Sequence, residues 1–170
     1  MAAPVDKRMG YRPPKYEDLI AVRTSRIQGK GVFALRRIPK GRRVIEYVGE
    51  IITNQEAEER ADDDTSSRHH TFLFELDDKH CIDAAYDGNI SRFINHSCAP
   101  NCEAIVEDGH IHIYAKRNIQ PGVELTYDYS FEVEGRRTKA LKEYYACFCG
   151  AVKCRGTILK PRRKRRRRRG

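Results

Sequence analysis

Apolar residues along this chain come in short runs rather than long stripes. Leu19-Ile20-Ala21-Val22 predicts a short strand. Val44 to Ile52, rich in β-branched residues, predicts another, with a bulge or kink at Gly49. Phe72-Leu73-Phe74-Glu75-Leu76 and Cys81-Ile82-Asp83 flank Asp77-Asp78-Lys79 as a hairpin. A second hairpin joins Glu103–Val106 to Ile111–Ala115, because Asp108-Gly109 between alternating apolar positions suits a tight turn. Val123 to Phe131 alternates again and puts Tyr127 and Tyr129 on one face of a strand. Thr53, followed three residues later by Glu56, reads as a capping box opening a helix that runs to Arg60 or Ala61. Glu132 to Lys142 is a charged connection that turns helical late. Short strands, frequent turns and one or two short helices predict a mostly-β domain of small sheets.

Composition narrows this picture. A chain of 170 residues is one domain, large enough to bury a core without disulfides. Nine of its 33 lysines and arginines lie in residues 160–170, which leaves 24 basic residues against 24 acidic ones in the rest. The net charge of +9 therefore belongs to the tail, and the body is near neutral. The first residues form an arm, and residues 160–170 a low-complexity basic tail that is disordered when free. Such a tail suits non-specific contact with nucleic acid that weakens with salt, or a solubilising or targeting role. No apolar run is long enough to span a bilayer, and Met1–Tyr11 lacks the apolar region of a signal peptide, so no membrane partner is expected. A reducing compartment follows as the expectation, and there six cysteines favour metal or free thiols over disulfides.

The densest chemistry is Ser91-Arg92-Phe93-Ile94-Asn95-His96-Ser97-Cys98-Ala99-Pro100-Asn101, which no clean periodicity explains. Gly29-Lys30-Gly31 permits a tight turn and close approach of a ligand to backbone, but it lacks the third glycine and the helix of a dinucleotide fingerprint. Cys147-x-Cys149-x4-Cys154 brings three thiols within eight residues, which suits zinc. A fourth ligand must come from elsewhere, and Cys98 and Cys102 are both candidates. Asp62-Asp63-Asp64 lacks the spacing of a calcium loop and reads as a solvated turn. His110 and His112 read as exposed strand residues.

Gly29-Lys30-Gly31-Val32-Phe33, Tyr47-Val48-Gly49-Glu50, Asp83 through Gly88-Asn89, Arg92 through Asn101, Glu124-Leu125-Thr126-Tyr127-Asp128-Tyr129 and the Cys147–Cys154 motif occur in one order. Together they resemble a SET-domain protein lysine methyltransferase with its post-SET zinc segment. The resemblance implies a flexible arm over 1–17, a SET domain over 18–132, a post-SET segment over 133–159 and the basic tail over 160–170. It implies a β-clip of small sheets with a pseudoknot, in which the segments matching Arg92–Cys98 and Leu125–Phe131 cross. S-adenosylmethionine is the implied methyl donor, with contacts at Gln28, Lys30, Gly31, Arg92, Asn95 and His96, and Phe148 covering the adenine. Tyr129 matches the catalytic tyrosine, and Tyr127 the position that governs how many methyls are added. Zn2+ is implied at Cys98, Cys147, Cys149 and Cys154. Phe72, counted with the donor-site residues, stands where many relatives carry a tyrosine that lines the lysine channel. The implied substrate is a histone or another basic, nucleic-acid-associated protein. The implied location is intracellular, at chromatin or a bacterial nucleoid, or in a host nucleus for a secreted effector. The alternative is a catalytically weak SET-fold scaffold tethered to nucleic acid by its tail.

Overall fold

A computed structural model describes residues 15–63, 72–133 and 135–161, with backbone alone for 61–63. Most of the N-terminal arm, the loop after Asp63 and residues 162–170 of the basic tail lie outside the described residues. The rest is mostly β, in small sheets with few short helices.

Strand β1 (Ile20–Thr24) turns through the Gly29 loop into β2 (Lys30–Ala34), paired antiparallel from Ile20↔Ala34 to Thr24↔Lys30. Leu19 is not part of the strand. It closes a single helical turn, α1 (Tyr16–Leu19), and is buried in the core. Its burial satisfies an apolar position that the run Leu19–Val22 had assigned to a strand.

The run Val44–Ile52 is split between two sheets. Strand β3 (Arg43–Tyr47) pairs with one sheet and β4 (Glu50–Thr53) with another. The switch happens at Gly49, whose absent Cβ would lie 2.4 Å from the carbonyl oxygen of Asp83. Only glycine lets the chain pass that close to another backbone. Thr53 then caps α2 (Asn54–Asp63), its hydroxyl accepting from the Glu56 N–H at 3.2 Å. Glu56 also binds Arg60 one turn on, at 2.6 Å, which strengthens the helix face.

The Asp77–Lys79 hairpin joins β5 (Leu73–Glu75) to β6 (His80–Asp83), and β6 lies between β4 and β5. A 3-10 turn at Ile90–Phe93, capped by Asn89, leads into the two-residue β7 (Asn95–His96). The second hairpin joins β8 (Cys102–Glu107) to β9 (His110–Ala115). Asp108 and Gly109 both take positive φ, 51° and 77°, as the tightest hairpin turn requires. Strand β9 also pairs with β3, and its alternation buries Ile111, Ile113 and Ala115.

Val123–Phe131 does not form one long strand. Only β10 (Thr126–Tyr127) enters a ladder, parallel to β7, with Thr126 opposite Asn95 and Tyr127 opposite His96. Helix α3 (Lys139–Tyr144) follows, capped by the Thr138 hydroxyl, and buries no residue. The main core gathers Ile20, Val32, Ile38, Ile94, Ile113, Ile119 and Leu125 beneath these two-residue strands. A smaller cluster of Tyr47, Ile82, Ala84 and Ile111 lies under the hairpin of β5 and β6. Chemistry-bearing residues therefore sit at the edge of a rigid interior, on segments too short to be fixed by ladder bonds alone.

Candidate active site

The Gly29 loop is shaped by Ser25. Its backbone N–H donates to the Gly29 carbonyl at 2.9 Å, and its hydroxyl accepts from the Ile27 N–H at 2.9 Å. Gly29 takes φ 45°, which glycine adopts at no steric cost. Gly31 is glycine for a different reason: a Cβ there would fall 2.3 Å from Oε1 of Glu124. That carboxylate oxygen accepts from the Ser25 hydroxyl at 2.7 Å and from the Asn95 amide at 2.8 Å. Asn95 Nδ2 also reaches the carbonyls of Lys30, at 2.9 Å, and Gln28, at 3.3 Å. One buried amide thus knits the loop, β7 and Glu124 together.

His96, 4% exposed, stands next on β7. Its Nδ1 accepts from the Tyr129 backbone N–H at 3.1 Å, so Nε2 carries the proton of the neutral ring. That nitrogen faces Sγ of Cys98 at 3.4 Å. Burial pushes the imidazole pKa down to about 4, with Asp128 opposing and Arg155 reinforcing the shift. The Tyr129 hydroxyl donates to the Ile94 carbonyl at 2.9 Å. Its ring lies 4.9 Å from that of Tyr127, which stacks on Phe74 at 5.8 Å. Burial raises the pKa of both phenols, so neither is a phenolate near neutral pH.

Ile27, Gln28, Asn95, His96, Tyr129, Ala146, Cys147, Phe148 and Ile158 line a small pocket that is open to solvent. Its two walls are the glycine loop and the C-terminal segment, and its floor is β7. Of the residues expected to contact a donor, Gln28, Asn95, His96 and Phe148 line it. Lys30, Gly31, Arg92 and Phe72 do not line it. Gly31 makes room for Glu124 behind the loop. The Lys30 ammonium stands 5.2 Å over the Phe93 ring. The Arg92 guanidinium lies 4.8 Å from Phe93 and 5.5 Å from Phe72, and donates to the Ala84 carbonyl at 3.0 Å. Phe72 meets Phe93 edge-on at 6.1 Å, and its carbonyl accepts from the Tyr47 hydroxyl at 2.7 Å. Arg92 Nε is buried without a hydrogen-bond partner.

Behind the pocket wall, the sulfurs of Cys98, Cys147, Cys149 and Cys154 all lie within 4.8 Å of one another. Cys98 is 3.7 Å from Cys147 and 3.8 Å from Cys154. A zinc tetrahedron with bonds of 2.3 Å has sulfur–sulfur edges of about 3.8 Å, so the cluster has the size for one ion. Backbone N–H groups of Cys98, Arg155 and Gly156 point at cluster sulfurs from 3.3–3.4 Å, as a thiolate site requires. Cys102 is in the core, 0% exposed, with burial raising its thiol to about 12.

Three polar groups escaped sequence reasoning. Glu124 lies inside a quoted motif, but its partners are 29 and 99 residues away. Asn101 donates to the Glu124 carbonyl at 2.7 Å and accepts from the Thr126 N–H at 2.8 Å, tying β10 in place. Arg155 forms a bidentate pair with Asp128, at 2.6 and 2.9 Å. No local pattern announces any of these contacts.

A family model described as the SET domain matches residues 29–130. "Histone-lysine N-methyltransferase trr" of Drosophila melanogaster is 40% identical over 155 residues, covering 88% of this chain and 6% of that protein. "Histone-lysine N-methyltransferase, H3 lysine-4 specific" of Schizosaccharomyces pombe is 45% identical over 139 residues, covering 79% and 14%. "Histone-lysine N-methyltransferase SUV39H2" of Xenopus tropicalis is 40% identical over 170 residues, covering 89% and 41%. The chain therefore spans a minor part of each relative's length.

Proposed function

This chain belongs to the SET-domain family, and on that premise we propose that it is a protein-lysine N-methyltransferase using S-adenosylmethionine. The observation that carries the reading is the convergence of Gln28, Asn95, His96, Tyr129 and Phe148 on one pocket, where the rings of Tyr129 and Tyr127 meet. The pocket suits the donor: an aromatic rim at Phe148, a glycine loop that exposes backbone, and polar groups on the floor. Bound there, S-adenosylmethionine would supply an electrophilic methyl. The chain's own task is alignment of an amine with that methyl.

The target lysine must be neutral to attack. With an ordinary pKa of about 10.4, deprotonation at pH 7 costs about 4.6 kcal/mol. Neither tyrosine serves as a base, since desolvation holds both hydroxyls protonated. In this reading their rings help desolvate the amine, which favours its neutral form, and the Tyr129 hydroxyl, held on the Ile94 carbonyl, orients it. Tyr129 is the catalytic tyrosine in this reading, held by Ile94 O and backed by the edge of the His96 ring at 5.3 Å. The four cysteines would hold Zn2+, and the ion would tie the C-terminal wall to Cys98.

The substrate in this reading is a histone or histone-like protein, as the printed names of its relatives favour. That puts the enzyme at chromatin or a nucleoid. Among the described residues no helix is long and apolar enough to cross a membrane. The basic run 160–170 adds non-specific nucleic-acid affinity that declines with salt. The decisive experiment is transfer of labelled methyl to core histones, a bacterial nucleoid protein and whole-cell lysate, with Tyr129→Phe as control. Label on lysine that falls about 100-fold in the variant establishes the reading. Donor binding without label on any substrate points instead to a SET-fold scaffold.

A further inference from the structure

The C-terminal segment supplies a pocket wall at Ala146, Cys147, Phe148 and Ile158, yet it carries little core of its own. Helix α3 buries nothing, Phe148 is 68% exposed, and Val152 is fully exposed. Segments with so few buried apolar contacts open at low free energy unless tied at discrete points. One tie is the cysteine cluster, and another is the bridge between Phe131 and Leu159.

The third tie is Arg155. It follows Cys154 directly, and its backbone N–H donates to Cys98 Sγ at 3.4 Å. Its guanidinium grips Asp128, the residue between Tyr127 and Tyr129, with Nη1 on Oδ2 at 2.6 Å and Nη2 on Oδ1 at 2.9 Å. Side-chain exposures of 21% and 28% remove this pair from the weak class of fully solvated ion pairs. Bidentate geometry also fixes direction, which a lysine at this position could not do. Asp128 is itself anchored. Its Oδ1 accepts from the Ser130 N–H at 2.9 Å and stabilises the positive φ of 49° at Ser130.

We propose that Arg155 is a positioning residue for donor binding, its pair with Asp128 fastening the C-terminal wall to the segment that runs from Tyr127, at the end of β10, to Tyr129 just beyond it. The inference rests on the reading of the pocket as the methyl-donor site. It makes the wall depend on two separable devices: the cysteine cluster fixes the segment's centre, and the Arg155–Asp128 pair fixes its angle over the pocket. Cutting the pair loosens the wall and leaves the metal in place. The loss then falls on the Kd and KM for S-adenosylmethionine more than on kcat at saturating donor.

The test compares Arg155→Ala, Arg155→Lys and Asp128→Asn with the wild-type chain loaded with zinc. Asparagine at 128 can still accept from the Ser130 N–H, so that variant removes the ion pair and keeps the turn. Four quantities are read: zinc released per chain on thiol modification, Kd for S-adenosylmethionine by calorimetry, protease cleavage within 135–161, and kcat for methyl transfer to core histones at saturating donor. The expected result is one zinc in every protein, a Kd about tenfold weaker in each variant, faster cleavage, and kcat at saturating donor within about threefold of wild type. Wild-type donor binding with unaltered Kd in Arg155→Ala and Asp128→Asn overturns this inference alone. Loss of zinc together with donor binding also overturns it, since Arg155 would then act on the cluster. A zinc-loaded wild type that binds no donor overturns the donor-site reading itself.

Discussion

Gly31→Ala is a substitution of one methyl group whose consequence can be worked through the site. The new Cβ would lie 2.3 Å from Oε1 of Glu124, 2.9 Å from its Cδ and 3.0 Å from Cβ of Ser25. Something must shift, and the carboxylate is the group able to move. It is not free, however. Oε1 holds the Ser25 hydroxyl at 2.7 Å and the Asn95 amide at 2.8 Å, and both bonds break when it retreats. Hydrogen bonds to charged groups contribute about 1.5–3 kcal/mol each. Glu124 is half-buried, so water replaces part of what is lost, and the expected net cost is about 2–3 kcal/mol. Asn95 keeps its bonds to Gln28 and Lys30 but loses its Glu124 acceptor, so the glycine loop loosens as well.

A double-mutant cycle with Glu124→Ala tests this reasoning. Glu124→Ala removes the same two bonds and empties the space beside Gly31. In that background Gly31→Ala should cost about 0.5 kcal/mol or less, so the two substitutions couple by about 2 kcal/mol. Urea unfolding gives the four stabilities, and calorimetry with S-adenosylmethionine gives the matching affinities, with Gly31→Ala weaker by about tenfold or more. Additive costs in the cycle, or a Gly31→Ala protein as stable as wild type, would refute the argument.

Gly49→Ala offers no side chain to move: its Cβ meets the Asp83 carbonyl at 2.4 Å, so unfolding experiments should show a loss of about 3 kcal/mol or more. Cys98→Ala should abolish stoichiometric zinc, whereas Cys102→Ala should keep it and lose only about 1 kcal/mol of core packing, both checked by metal analysis beside thermal unfolding. Burial raises the Cys98 and Cys147 thiols above their ordinary values in the metal-free fold, so metal binding near neutrality expels protons. Zinc affinity should therefore rise with pH, with at least about two protons released per ion, and acid should strip the metal. Tyr127→Phe should shift product from mono- and dimethyl toward trimethyl-lysine, read by mass spectrometry; trimethyl product from the unmodified enzyme would contradict it.

Sequence reading succeeded where the cause is local. Asp108-Gly109 sets its own hairpin, and Thr53 caps its own helix, within four residues in each case. It fell short where the cause is a distant backbone. Gly49 was legible as a kink, but a change of sheet depends on Asp83, which the chain reaches 34 residues later. Leu19 satisfied a strand pattern and a buried helical turn equally well, and three-dimensional packing chose the turn. The opening position of β8 separates the two candidate cysteines. Cys102 begins that strand and alternates inward, whereas Cys98 lies before it with its sulfur beside Cys147 and Cys154.

Asn95, His96 and Tyr127 sit on β7 and β10, two residues each, whose ladder bonds are too few to define their register, and Tyr129 lies just beyond β10. Asparagine side chains do that work instead. Asn101, 3% exposed, clasps the entry to β10, accepting from the Thr126 N–H and donating to the Glu124 carbonyl. Asn95, 6% exposed, clasps the glycine loop, and His96 takes the Tyr129 N–H that a longer strand would have paired. Apolar replacements at these positions would fill the same volume but leave buried backbone groups without partners, at about 1–3 kcal/mol each. Directional bonds from buried side chains also admit one register, where an apolar contact tolerates a slip. A domain of small sheets can therefore present an irregular backbone at its pocket, because the glycine loop, β7 and β10 are fixed by side chains as well as by ladder bonds. The polar density of residues 91–101 follows from this: the segment has to supply its own scaffold as well as its chemistry.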